Sequence, residues 1–248
     1  MLKKILSVVL SIAMIFTLFA CGSNSSISSD GSSSGGSNSS LRAQIENCTP
    51  LVDYSGNTTI DEMDSIEFGK DEKGRSIEWV VLEKGNNKAL LITKWLLYQR
   101  NYHNEYVNIT WENSLIRKWL NSDFLDLSFN KKEQGQILTT NVINNDNVEY
   151  NTSGGNDTKD KVFLLSLDET SQYFKSGRQI VSSYKDDGEP LTTSKGDAWG
   201  DNYWLRSPGG SQSSAAGIRL GIVDYAGWGV FIDDTIGFGI RPAMWVKY

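Results

Sequence analysis

Apolar and polar positions divide the chain into three stretches. Ile5 to Ala20 is apolar except for Ser7, Ser11 and Thr17. Gly22 to Ser40 is nearly all Ser, Gly and Asn, and from about Ile66 apolar residues recur at strand and helix spacing. In that last stretch Ile77-Glu78-Trp79-Val80-Val81-Leu82 predicts a strand. Lys84-Gly85-Asn86-Asn87 predicts a turn and Ala89-Leu90-Leu91-Ile92-Thr93 a second strand, together a β-hairpin. Trp111, Leu115, Ile116, Trp119 and Leu120 then fall at helical spacing with Thr110 as the expected N-cap. A second amphipathic stretch covers about 130–138, with Ser128 as its expected cap. Lys161-Val162-Phe163-Leu164-Leu165 has the pattern of a buried strand. Ser166-Leu167-Asp168-Glu169 follows as a capping box opening a short helix towards Phe174. Tyr203–Arg206, Gly217–Val223, Gly229–Ile232 and Gly239–Val246 complete the pattern as short strands. Strands bracketing a few helices, without βαβ alternation, predict an α+β domain with short antiparallel strands and two to three helices.

The polar stretches set the expected organisation. A Ser/Gly tract cannot bury enough apolar surface to offset its ordering entropy, so 21–60 is expected to be a flexible linker and 61–248 the single globular domain. As a random coil, the tract from Gly22 to Ser40 would span on the order of 25 Å. Lys3 and Lys4 before the first apolar run, and small Ala20 after it, have the layout of a secretory signal over 1–20. Leu18-Phe19-Ala20-Cys21 resembles the lipobox of bacterial lipoproteins, although Phe19 stands where a small residue is usual. That resemblance implies acylation of Cys21 and a membrane anchor through its lipid, with the domain on the extracytoplasmic side. The formal net charge of −6 becomes two units more negative once Lys3 and Lys4 leave with the signal. An acidic chain without a basic run excludes nucleic acid as an expected partner. Cys48 is then the one remaining cysteine; its polar surroundings predict a flexible free thiol and no disulfide framework.

Five landmarks occur in a recognisable order. They are Ile77-x-Trp79-x-Val81-Leu82, Thr110-Trp111-x-x-Ser114-x-Ile116-Arg117-x-Trp119-Leu120-Asn121, Lys161-Val162-Phe163-Leu164-Leu165-Ser166, Trp204-Leu205-Arg206-Ser207-Pro208-Gly209 and Gly239-Ile240-Arg241-Pro242-Ala243. As a set they resemble an uncharacterised bacterial family, domain of unknown function 6273, over most of 66–248. The last two are similar, at greater distance, to C-type-lectin-like domains, which include formylglycine-generating enzymes. In that fold the first and last strands pair, which would set Trp79-Val80-Val81 beside Ala243-Met244-Trp245. The cysteine chemistry of the formylglycine-generating enzymes has no counterpart, because no cysteine follows Cys48.

Candidate chemistry is sparse. His103, the sole histidine, lies in the polar run Asn101–Glu105 with no nucleophile motif beside it. Lectin calcium sites place a Glu-Pro-Asn loop before a Trp-Asn-Asp segment; here Glu189-Pro190 is followed by Leu191, and Trp199-Gly200-Asp201-Asn202 differs in order. Glu189, Asp201 and Asn202 are the candidate oxygen ligands for Ca²⁺, set against the simpler reading of acidic turn residues. Asp233-Asp234 reads as a turn. Trp199, Tyr203, Tyr225 and Trp228 lie in or near Gly-rich loops. With Asp201 and Asn202 they form the expected ligand-binding face, built from 197–214 and 224–236. Trp79, Trp111, Trp119, Trp204 and Trp245 are expected in the core, and Arg206 and Arg241 in buried pairs with carboxylates or carbonyls.

The expected function is non-catalytic binding of carbohydrate or a surface protein, without a cofactor unless Ca²⁺ is held. Two alternatives are an extracytoplasmic hydrolase using a carboxylate pair such as Glu189 and Asp201, and a structural envelope protein.

Overall fold

The hairpin predicted over Ile77–Thr93 is the centre of the molecule in its computed structural model. The structure describes residues 40–180, 185–186, 189–190, 202–231 and 238–248. The chain divides between Ser37 and Asn38, and the described residues all belong to the unit Asn38–Tyr248. The signal segment and Cys21 lie outside the described residues.

Strand β1 (Ile66–Lys70) leads into β2 (Ser76–Gly85) and β3 (Lys88–Thr93). The β2–β3 turn works as its sequence requires. Asn86 and Asn87 both take left-handed φ values (53° and 57°), which a two-residue hairpin needs and asparagine tolerates. Ile77 and Trp79–Leu82 on β2, and Ala89–Ile92 on β3, are all buried, so this hairpin is covered on both faces. Trp79 Nε1 donates to the Phe68 carbonyl at 2.7 Å, satisfying the indole inside the core.

Two further pairs are small: β4 (Thr140–Val142) with β5 (Thr158–Asp160), and β6 (Lys185–Asp186) with β7 (Glu189–Pro190). A three-stranded sheet follows from β8 (Tyr203–Pro208), β9 (Ser214–Arg219) and β10 (Ile222–Gly229), in the order β10-β9-β8. The C-terminal β11 (Ala243–Lys247) returns to the first sheet, whose order is β1-β2-β3-β11, all antiparallel. The two sheets are stitched by the segment before β11. Trp204 N–H donates to the Gly239 carbonyl and Ile240 N–H to that of Tyr98. The result is a mixed α+β architecture with antiparallel sheets and few, short helices.

Several expectations need correcting. Ala243, Met244 and Trp245 lie opposite Ile92, Leu91 and Leu90 of β3, so Trp79-Val80-Val81 is one strand further away than expected. Residues 41–60 are folded, not linker. Helix α1 (Leu41–Asn47) and short 3₁₀ turns at Leu51–Asp53 and Ile60–Glu62 bury Ile45, Leu51 and Ile60. Lys84 Nζ reaches across to cap the end of α1, donating to the carbonyls of Ile45, Glu46 and Cys48 at 2.7–3.0 Å. Cys48 is therefore a buried thiol, and burial pushes its pKa up.

The helix expected from Trp111 is broken at Ser114. A 3₁₀ turn covers Trp111–Asn113 and α2 covers Leu115–Leu120. The Ser114 hydroxyl, not that of Thr110, accepts the Arg117 N–H at 3.3 Å and restarts the chain as a helix. Ser128 ends α3 (Asp123–Ser128), while Asn130 caps the short α4 (Lys131–Gln134) in a capping box with Glu133. The Ser166–Glu169 capping box is present and opens α5 (Leu167–Tyr173); α6 is Gly177–Ile180. Val162–Leu165 is fully buried but makes only a single bridge, Phe163 to Ala243, where a ladder strand was expected. Gly217–Val223 is not one strand, because the chain reverses at Leu220-Gly221.

Candidate binding groove

A concave surface is built around the β9–β10 hairpin. Its turn is Leu220-Gly221, with φ of 51° and 76°, and it closes the pair Arg219–Ile222. Gly221 suits that geometry. Leu220 does not: a left-handed residue with a bulky Cβ costs roughly 1–2 kcal/mol. Its side chain recovers little by packing, since Leu220 is 48 % exposed and Ile222 next to the turn is 71 % exposed.

Further along β10 a bulge shifts the register between Asp224 and Trp228. Gly227 is required there: its φ is 63°, and a Cβ would stand 1.9 Å from the Ala215 carbonyl oxygen. The Asp224 carboxylate accepts the Gly227 N–H at 3.0 Å and holds the bulge.

The loop between β4 and β5 forms the second wall. Asn147 is buried in it. Its Nδ2 donates to the carbonyls of Pro208 (2.9 Å) and Tyr225 (2.8 Å), with a longer contact to Gly209 (3.3 Å). The loop turns back on itself through the Asn147–Thr152 bridge, and Gly154 N–H donates to the Asp146 carboxylate. Glu149 and Tyr150 are thereby held against the hairpin. Between the walls lies a groove of about 530 Å³, lined by Glu149 and Tyr150 from the loop and by Arg219–Leu220 and Ile222–Ala226 from the hairpin.

Of the residues expected at a binding face, Tyr225 is in this groove. Trp228 is not: it is partly buried against Phe238 (ring centroids 5.5 Å apart), with the Arg219 guanidinium 5.3 Å from its ring centroid. Tyr203 belongs to the core. Its hydroxyl donates to the Ile180 carbonyl and accepts from Arg241, and burial pushes its pKa up against the opposing Arg241 charge. Asn202 is buried too. Its carbonyl accepts the Gly239 N–H, while neither amide atom of its side chain has a hydrogen-bond partner among the described residues. Trp199, Asp201, Asp233, Asp234 and the side chain of Glu189 lie outside the described residues. No group of three or more metal-ligating side chains occurs among the described residues.

The remaining polar candidates are built into the core. Arg206 donates to both carboxylate oxygens of Glu169 and to the carbonyls of Leu164 and Ile143. Arg241 donates to the Thr93 and Ile180 carbonyls and to Tyr203. The backbone of His103 donates to the Val230 carbonyl, and its Nδ1 is buried without a partner among the described residues.

Tyr150, Leu220 and Ile222 were missed by sequence reasoning. The signal for Tyr150 was weak, an aromatic inside an Asn-, Asp- and Gly-rich loop. Leu220 could be found only by placing the hairpin turn one residue before Gly221, and the apolar run to Val223 hid that turn.

No helix among the described residues is long and apolar enough to cross a membrane. No curated protein and no solved structure matches the chain. Residues 86–248 match the family described as Domain of unknown function (DUF6273), and the chain belongs to that family.

Proposed function

We propose that this chain is a lipid-anchored, extracytoplasmic lipoprotein. Its folded unit, on this reading, is a non-catalytic, cofactor-independent module of C-type-lectin-like architecture that binds another surface protein through the β9–β10 groove. The architecture rests on closure: β3 and β11, the first and last strands of the matched segment, are neighbours. The anchor rests on the signal-like N-terminus, Cys21 and the Ser/Gly tract.

The observation that carries the binding reading is the groove itself. Tyr150 and Tyr225 face it from opposite walls, and exposed Leu220 and Ile222 extend its apolar surface at the hairpin tip. Exposed apolar surface gathered at one preformed cleft marks an interaction site. Aliphatic side chains at its tip favour a protein over a carbohydrate, because sugar hydroxyls gain nothing from leucine and isoleucine.

The test uses the full chain in liposomes, probed in parallel with purified envelope proteins and with a glycan array. Protein binding that weakens about tenfold or more in Tyr150→Ala and Tyr225→Ala, with unchanged melting, supports the proposal. Partner binding unaffected by both substitutions refutes the assignment to this groove. Mass spectrometry of the membrane-extracted protein tests the anchor, which fails if Cys21 carries no acyl groups.

A further inference from the structure

The groove has a polar side that apolar contact alone does not use. In a two-residue hairpin the pair flanking the turn exchanges hydrogen bonds, here Arg219 and Ile222. The next pair, Val223 and Ile218, is of the non-hydrogen-bonded kind, so the N–H and C=O of Val223 point away from β9. β10 is the edge of its sheet. Two residues on, the corresponding outward carbonyl of Tyr225 is taken by Asn147 Nδ2, which ends the open edge on that side. The edge at Val223 carries neither proline nor lysine, the β10 bulge begins only beyond Asp224, and Val223 lies in the groove wall.

Charge narrows the occupant further. Glu149 and Asp224 both line the groove, and the one cation among its described lining residues, Arg219, lies over the Trp228 ring. The chain as a whole is acidic.

Building on the reading of the groove as the binding face, we infer that its occupant is an extended peptide segment of a partner protein, alternating aliphatic and basic residues. The segment adds as a short strand to the edge of β10 at Val223. Its backbone pairs with the Val223 N–H and C=O. Ile222 and Asp224 share one face of β10 and Val223 the other, so the segment's basic side chains approach Asp224 with their methylene stems over Ile222, and its aliphatic side chains, on the Val223 face, cover Tyr150 and the turn residue Leu220. The strained, exposed Leu220 fits this role, because contact with a partner recovers what the isolated chain forgoes.

The experiment measures fluorescence anisotropy of a short labelled peptide alternating valine and lysine, titrated with the full chain in detergent micelles. The same peptide with alternate backbone amides N-methylated, a valine–glutamate peptide and a chitin oligosaccharide are run beside it. The valine–lysine peptide is expected to bind, and the N-methylated and glutamate peptides to bind about tenfold more weakly or worse. Val223→Pro removes the edge N–H and is expected to weaken binding by a similar factor. Hydrogen exchange on the unsubstituted chain is a second readout that needs no variant: the Val223 amide should gain protection when the peptide is added.

Equal binding of the N-methylated or glutamate peptide overturns the inference, as does an unprotected Val223 amide. If the oligosaccharide alone binds, and Tyr225→Ala abolishes that binding, the groove is the site but the inferred occupant is wrong. If peptide binding survives both Tyr150→Ala and Tyr225→Ala, the inference falls together with the reading of the groove.

Discussion

Asn147→Ala should cost this fold more than its size suggests. The side chain is 1 % exposed, and its amide holds the groove loop to two separate segments, Pro208 and Tyr225. Its Oδ1 also accepts the Glu149 N–H at 3.1 Å, fixing the start of the turn that carries Tyr150. Alanine leaves the carbonyls of Pro208 and Tyr225 without their donor, and an unpaired buried acceptor costs about 1–3 kcal/mol. Water entering the vacated volume offsets part of that, so the expected loss is about 3 kcal/mol. For a domain of this size it corresponds to a fall in Tm of roughly 6–12 °C. The assay is urea unfolding followed by tryptophan fluorescence, with an unchanged m-value as the sign that the unfolding reaction itself is the same.

Asn147→Asp is the sharper companion. It keeps the acceptor for Glu149 but turns a carboxylate towards carbonyl oxygens. Folding then favours the protonated form, so the variant's folded-state pKa lies above its unfolded value. Its stability is greatest at acid pH and is lost as pH rises through the folded-state pKa. A loss below about 1 kcal/mol for the alanine variant, or an aspartate variant no more stable in acid than at neutrality relative to the parent chain, would refute the role given to this amide.

Four other outcomes follow from the same geometry. Leu220→Asn should raise stability by about 1 kcal/mol, since asparagine tolerates the left-handed turn, while weakening partner binding; calorimetry and anisotropy together test the opposite signs. Glu169→Ala should cost about 3 kcal/mol in chemical denaturation, at the lower end for a broken buried pair because Glu169 is partly exposed whereas Arg206 is not. Cys48 should resist a thiol reagent at neutral pH in the folded chain and react promptly in urea, because burial both shields the sulfur and disfavours the thiolate. Calcium at about 1 mM should leave both melting and peptide binding unchanged; a saturable rise in Tm abolished by Asp201→Ala would instead establish a metal site.

What the sequence revealed depended on whether the deciding interaction was local. The β2–β3 hairpin and the Ser166–Glu169 capping box were readable because each is set within a few residues, by Asn86-Asn87 and by a serine three positions before a glutamate. The break at Ser114 was hidden, because helical spacing of Trp111 and Leu115 persists across a 3₁₀ turn. The folding of 41–60 was hidden for a different reason. Few apolar residues occur there, but Ile45, Leu51 and Ile60 all find partners in the core, and the lysine that caps α1 comes from Lys84 on β2. The groove was legible only at Tyr225. Tyr203 and Trp228 share its Gly-rich context, and nothing local distinguishes an aromatic that turns into the core from one that lines a cleft.

The groove and the core are coupled through the same short stretches. Glu169 closes the cap of α5 by accepting the Ser166 N–H, and it also receives Arg206, whose second amino group reaches the Ile143 carbonyl at the root of the groove loop. Asn147, four residues on, fixes the middle of that loop to β10 and to the end of β8. Tyr150 is thus positioned by two buried polar anchors that belong to the core and not to the surface. A groove held in this way loses little conformational entropy when occupied, which favours affinity from a modest contact area. The anchors Asn147, Glu169 and Arg206 and the groove's far wall all fall within 86–248. The central strand that buries the core, β2, lies wholly before that segment. The matched segment therefore contains the whole groove but not all of the scaffold that makes it rigid.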